Sequence, residues 1–365
     1  MNPERWQKIQ LLFDRAADMP AADRKQFLAA ECGSDSTLLR QVHSLLDVDA
    51  GSSGTLESAV GAAVVDAARS GVAVGQSIGP YRLVREIGEG GMGVVYEAEQ
   101  LNPRRSVAIK LIRAGRYASE RQRRLFQREA EALGRLKHPA IATIYESGVT
   151  DDGQAYLAME LVNGEPLSAY LSRVAPPAEL RKDSVRDRLA LFLAICGGVN
   201  YAHQNGVIHR DLKPSNILLP AISSGTGGST HTQAQVKILD FGLARISEDS
   251  DGGADQTFTG TGVVQGSVPY MSPEQARGDN ARVDTRSDIY ALGIILYELL
   301  TGRHPYLSGN PGLVEAIQAI ATAPPARLAE GTGSRADADL ETIVMKALEK
   351  EPERRYASSA TFAGD

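Results

Sequence analysis

Three glycines, one lysine and a dense polar run carry whatever chemistry this sequence performs. Residues 87–96 read IGEGGMGVVY, so Gly88, Gly90 and Gly93 satisfy G-x-G-x-x-G. In dinucleotide folds that spacing opens a helix, whereas here VVYEAEQ continues as a strand. The pattern then describes a β-turn-β flap whose backbone can close over phosphates; an ordinary glycine-rich hairpin is the plainer account. Lys110 ends the run Val107-Ala108-Ile109-Lys110. It is either a surface cation snorkelling past apolar neighbours or a fixed charge for the α- and β-phosphates of a nucleotide. The second role needs a carboxylate to hold it, and the helix that follows offers Glu129 and Glu131, acids that otherwise read as solvated helix charges. The strongest signal is His209-Arg210-Asp211-Leu212-Lys213-Pro214-Ser215-Asn216, followed by Asp240-Phe241-Gly242.

The elements that must position these residues are legible in the hydrophobic pattern. Segments 81–87, 94–100 and 106–112 alternate or run apolar between Gly, Asn and Pro, which predicts a meander of three strands. A charged helix is expected over 119–136, then strands over 140–148 and 155–162. Beyond Gly164 the chain turns helical, with long apolar-periodic segments at 188–203 and 284–301. The first 48 residues read as short amphipathic helices, with Trp6, Ile9, Leu12, Phe13 and Ala16 at helical spacing, before the linker DAGSSGT. Two low-complexity stretches, 223–235 and 247–262, interrupt the second half.

Composition narrows the function classes. The 365 residues carry a net charge of −6, which argues against a nucleic-acid partner bound through its phosphates. Cys32 and Cys196 lie far apart, so neither a disulfide framework nor a thiolate zinc site is expected, and a reducing compartment is. No run of 18 uncharged apolar residues exists and MNPERWQ is no secretory signal, so the expectation is a cytoplasmic chain without a membrane span.

Taken in order from Gly88 to Arg355, the motifs resemble those of bacterial eukaryotic-like Ser/Thr protein kinases. The resemblance implies an α+β, bilobal protein-kinase fold: a small β-rich N-lobe with one regulatory helix and a larger helical C-lobe. A small all-helical module would precede it. The expected boundaries are 1–75 for the module and linker, 76–162 for the N-lobe and 163–365 for the C-lobe, which looks truncated at its end. Roles follow residue by residue. Gly88, Gly90 and Gly93 would cover the phosphates, and Lys110 would touch them with Glu129 as its ion partner. Asp211 would accept the substrate hydroxyl proton, Lys213 would neutralise the transferred phosphoryl group, and Asn216 and Asp240 would hold Mg²⁺, or Mn²⁺ in its place. Val95, Ala108 and Leu218 would line the adenine slot, Met159 would stand as gatekeeper, and the backbones of Glu160 and Val162 would bond the base of ATP. His209 and Phe241 read as packing residues.

Regulation follows from the same resemblance. Arg210 would pair with a phosphate on Thr259 or Thr261 of the activation segment, ordering it. Glu274 of Ser272-Pro273-Glu274 would bridge to Arg355, and Asp288 would anchor the catalytic loop. The partners implied are protein substrates and a second copy for trans-autophosphorylation; the N-terminal helices, outside the resemblance, read either as a docking module for a regulator or as an inert cap that packs on the rest of the chain. A longer full-length protein would allow membrane tethering. Two alternatives stay open: a pseudokinase scaffold, against which Lys110, Asp211, Asn216 and Asp240 all speak, and a small-molecule phosphotransferase, against which Lys213 and the long activation segment speak.

Overall fold

The computed structural model describes residues 74–90, 93–112, 120–150, 153–173, 182–220, 235–241, 268–307, 309, 311–328 and 338–365, with residues 12, 16, 27, 28, 31 and 32. In the N-terminal stretch Leu12, Ala16, Leu28 and Cys32 are helical and buried. The rest of that helical module lies outside the described residues, as do the 223–234 insert, Thr259, Thr261 and Ser267.

The first half builds a curled antiparallel sheet. Its strands are β1 (Ser77–Ile78), β2 (Tyr81–Gly90), β3 (Gly93–Gln100), β4 (Arg105–Ile112), β5 (Ile144–Val149) and β6 (Ala155–Glu160), in the order β1-β2-β3-β4-β6-β5. Two register shifts in the β2–β3 pairing precede the glycines, and such bulges bend and twist a ribbon. Helix α1 (Glu120–Gly134) lies against β5.

The two-residue period of β4 decides what Lys110 can reach. Val107, Ile109 and Leu111 join Tyr81, Leu83, Tyr96 and Ala158 in a small core of the sheet's own. Ala108 and Ile112 face the other way, into the main core. Lys110 falls between them on that second face, across from Val95 and Leu157.

The second half is helical. It contains α2 (Leu167–Arg173), α3 (Lys182–Gln204), α4 (Pro273–Ala276), α5 (Thr285–Thr301), α6 (Leu313–Thr322), α7 (Ala338–Ala347) and α8 (Ser359–Gly364). A small sheet of β7 (Gly164–Pro166), β8 (Ile217–Pro220) and β9 (Lys237–Ile238) sits beneath the first. Asp284 caps α5 by accepting from the Arg286 N–H at 2.7 Å, and Gly302 ends it in the left-handed region at φ 68°. Fourteen of its 17 residues are buried, so α5 is apolar nearly all round and runs through the core. Gly293 lets α7 approach closely: a Cβ there would lie 3.0 Å from that of Ala347. Helix α8 closes on α3 through Phe362 on Phe192, with centroids 5.1 Å apart, and through the Ser359 hydroxyl donating to the Cys196 carbonyl.

Candidate active site

The catalytic candidates sit on the loop between α3 and β8, and buried residues fix that loop. Asp288, on the first turn of α5, accepts the backbone N–H of His209 and of Arg210, both at 2.8 Å. His203, at the end of α3, contacts the same carboxylate through Nε2 at 2.7 Å. Burial pushes the Asp288 carboxyl up, yet the His203 bond and the surrounding donors outweigh it and leave it below the usual carboxylate range. The His209 ring is buried, pairs through Nε2 with the Leu239 carbonyl at 2.9 Å, and lies 4.6 Å from the Phe241 ring. Both residues pack, in keeping with the sequence reading.

Two side-chain clusters result. Lys213 Nζ donates to Asp211 Oδ2 at 2.9 Å, and Asn216 Nδ2 donates to the Asp211 carbonyl at 2.9 Å and to Oδ2 at 3.3 Å. The second cluster is Lys110 with Asp240, Nζ to Oδ2 at 2.7 Å. Leu239 joins the two, because its N–H donates to the Asn216 carbonyl at 2.8 Å. Arg210 at φ 66° and Asp240 at φ 59° are the non-glycine residues at positive φ among the described residues. Such conformations cost about 1–3 kcal/mol each and persist where the surroundings hold them. Asp288 and Gln275, which donates from Nε2 to the Arg210 carbonyl at 2.7 Å, hold the first.

The ion pair recorded at Lys110 is with Asp240; Glu129, the acid expected beside it, is half-buried on α1. With only 6% of its side chain exposed, the Lys110 ammonium takes the carboxylate that the turned Asp240 backbone brings to it.

The three glycines divide. A Cβ on Gly93 would fall 1.8 Å from the Leu111 carbonyl oxygen, and its φ of 152° is one that side chains rarely adopt. Gly93 is therefore required by the approach of β3 to β4. A Cβ on Gly88 or Gly90 would meet nothing within 4 Å. Among the described residues nothing calls for their bareness.

Ala108 stands opposite Met159 in the β4–β6 pairing, and both are buried. Val95, Glu160, Val162 and Leu218 are half-buried. A small apolar cavity behind Met159 is lined by Leu133, Leu136, Ile144 and Phe241, with Asp240 in its wall. Among the described residues no cluster of three His, Cys, Asp or Glu side chains could hold a metal ion. Asp240 and Asn216 are linked through the chain by the Leu239 N–H, which donates to the Asn216 carbonyl.

The C-terminal side of the activation segment is anchored from below. Arg355 donates to both oxygens of Glu274 at 2.8 and 2.7 Å, and this pair is buried, as expected. Ser272 and Gln275 form a reciprocal capping box at the start of α4. Tyr270 donates its hydroxyl to Glu298, whose carboxyl burial pushes up to about 7. His304 pairs with the Pro269 carbonyl at 2.8 Å, and burial pulls its imidazole down to about 4.

Sequence reasoning missed His203, Gln275, Glu298 and His304. Only Gln275 carried a signal, the S-x-x-Q spacing from Ser272; the others act through contacts between segments far apart in the chain.

The geometry of a glycine flap, a paired lysine and a buried anchor for a catalytic loop meets a matching family model. The model for the protein kinase domain covers residues 81–363. The chain belongs to the protein kinase family. Within that family it is similar to the serine/threonine-protein kinase pkn3 of Myxococcus xanthus, 38% identical over 80% of this chain and 50% of the relative. It is also similar to PknB of Mycobacterium tuberculosis, 37% identical over 78% of this chain and 42% of the relative. The chain thus spans about half the length of these curated relatives or less. The crystal structure of the kinase domain of Mycobacterium tuberculosis PknI superposes with a TM-score of 0.58 at 28% identity, over 80% of this chain and 97% of that one. The bacterial Ser/Thr kinase resemblance and the bilobal kinase fold read from the motifs agree with these findings.

Proposed function

We propose that the chain is a protein serine/threonine kinase that transfers the γ-phosphoryl group of ATP to Ser or Thr hydroxyls of proteins. One observation carries the reading: Lys213 and Asn216 both donate to the Asp211 carboxylate, joined through Leu239 to the Lys110–Asp240 pair, on a loop that Asp288 pins to the core. Asp211 Oδ2 accepts the proton of the incoming hydroxyl while its oxygen bonds to the γ-phosphorus. The bond from that phosphorus to the bridging oxygen breaks, and ADP leaves with the electron pair. Lys213, already on Asp211, stands where a cation offsets the charge of the transferred group. Lys110 and Asp240 neutralise each other in the protein alone; with nucleotide, Lys110 serves the α- and β-phosphates. Asp240 and Asn216 would hold Mg²⁺, whose chemistry is to bridge and neutralise phosphate oxygens.

In this reading Ala108, Val95, Met159 and Leu218 enclose the adenine, and Glu160 and Val162 bond its edge. Arg210 receives a phosphate on Thr259 or Thr261, placed there by a second copy of the chain. No described helix is long and apolar enough to cross a membrane. We place the catalytic unit in the cytoplasm, with its ATP, and assign the N-terminal helices to a regulator.

The test is incubation of the purified chain with ATP and Mg²⁺, beside Asp211→Asn, with sites mapped by mass spectrometry. Phosphate on Thr259 or Thr261 in the wild type, and a loss of about 10²-fold or more in the variant, supports the reading. Equal incorporation in both refutes Asp211 as the base, and none in either refutes the activity.

A further inference from the structure

Glu160 ends β6 at the passage between the lobes, and its side chain makes contacts that the transfer chemistry does not use. Its Oε2 accepts from Lys237 Nζ at 2.8 Å and from the Thr143 N–H at 3.1 Å. Its own N–H donates to the Thr143 carbonyl at 2.8 Å, so Glu160 and Thr143 hold each other in both directions. Lys237 also donates to the Ile141 carbonyl at 3.4 Å. The segment between these contacts belongs structurally to β9: Ile238 N–H donates to the Ala140 carbonyl, Ala142 N–H donates to the Ile238 carbonyl, and Ile141 bridges Ile238 in parallel.

Lys237 occupies a telling position. In the β8–β9 pairing it lies directly opposite Leu218, the residue assigned to the adenine slot. Three residues further along the chain comes Asp240. One ion pair therefore ties together the passage between the lobes, the strand carrying Leu218 and the strand leading to Asp240. The pair is half-sheltered and keeps contact with solvent, with 27% and 19% of the two side chains exposed. Pairing at this depth weighs little on global stability. It weighs directly on how far the two walls of the slot can drift apart before a ligand arrives.

We propose that Glu160 and Lys237 form an inter-lobe latch that pre-sets the width of the nucleotide slot, making Lys237 a positioning residue for nucleotide binding. The inference rests on the kinase reading above, and it deepens that reading by adding a residue that touches neither phosphate nor metal. Without the latch the slot samples wider arrangements, and the nucleotide must select the competent one at a cost in affinity.

The test measures Kd for a fluorescent ADP analogue by titration, KM for ATP, and kcat, in the wild type, Lys237→Met, Lys237→Arg and Lys237→Met with Glu160→Gln. Lys237→Met is expected to weaken Kd and raise KM by about two- to five-fold, the range of a half-sheltered ion pair, with kcat held. Lys237→Arg restores binding, and the double variant is no weaker than Lys237→Met alone. Unchanged Kd and KM in Lys237→Met, tighter binding, or a fall in kcat and melting temperature with Kd intact overturns the latch while leaving the kinase reading standing. A wild-type chain that binds no nucleotide overturns both.

Discussion

Replacing Arg355 by Met removes the cation from a pair whose side chains are 0% and 2% exposed. The guanidinium makes two bonds to Glu274, and it also donates to the carbonyls of Glu349, Lys350 and Arg286 at 2.8, 3.0 and 2.9 Å. Met fills much of the same volume and satisfies none of those acceptors. Stranding one partner of a buried pair costs about 3–5 kcal/mol, a large share of the roughly 5–15 kcal/mol that stabilises a domain. The loss carries a pH signature. Burial pushes the Glu274 carboxyl up, but Arg355 outweighs it and holds the wild-type group below its ordinary value. That stability is present above the unfolded carboxylate pKa and lost as pH falls toward the folded one. In Arg355→Met burial is opposed only by the Ser287 hydroxyl and a backbone N–H, so Glu274 takes a proton more easily and the variant suffers less in acid. Urea unfolding followed by circular dichroism at pH 5 and pH 8 should show the larger loss at pH 8. Adding Glu274→Leu, which removes the stranded carboxylate, should recover at least about 1 kcal/mol at pH 8. A loss below about 1 kcal/mol, or one equal at both pH values, refutes the reasoning.

The divided glycines predict divided variants. Gly93→Ala, whose Cβ meets the Leu111 carbonyl, should lose at least about 2 kcal/mol in urea unfolding. Gly88→Ala and Gly90→Ala should leave the unfolding midpoint in place and raise KM for ATP. Asp288→Ala strands the amides of His209 and Arg210, and kcat should fall on the order of 10-fold to 100-fold in a peptide phosphorylation assay while KM for ATP moves little. Glu298 and His304 titrate against each other. The Glu298 carboxyl at about 7 makes the fold lose stability as pH rises from about 4.5 to 7, and the His304 imidazole at about 4 makes it gain stability from about 4 to 6.5. Glu298→Gln should therefore gain more stability than the wild type between pH 4.5 and 6.5, by up to about 3 kcal/mol; parallel urea midpoints across that range would refute the assignment.

The strands flanking the glycine flap were legible because one face is more buried than the other and the residues alternate accordingly, whereas β4 is buried on both faces and Lys110 stands out as the one cation in its apolar run. The core helix α5 was legible for the same reason, its apolar run carrying Asp288 at the start. The loop chemistry of Asp211, Lys213 and Asn216 was legible as a motif alone. Its geometry depends on His203, 85 residues before Asp288, and no local pattern links the two. The Lys110–Asp240 pair was not legible, because it requires the backbone turn at Asp240, which spacing does not encode. The strand expected over 140–148 begins only at Ile144, since residues 140–142 bond to Ile238 of the other sheet instead.

The anchoring by Asp288 has a further consequence for motion. Asp211, Lys213 and Asn216 move with α5, and Asp240 follows them through the Leu239 bond to Asn216. The larger lobe is thus a fixed frame of reference for the Asp211, Asn216 and Asp240 side chains alike. The smaller lobe contributes Lys110 and the flap, so rocking one lobe on the other leaves the catalytic loop undistorted. Such motion would change the distance from Lys110 to Asp240, which stands at 2.7 Å, together with the Glu160–Lys237 distance of 2.8 Å. A pair of spectroscopic labels straddling either gap would read the opening of the molecule.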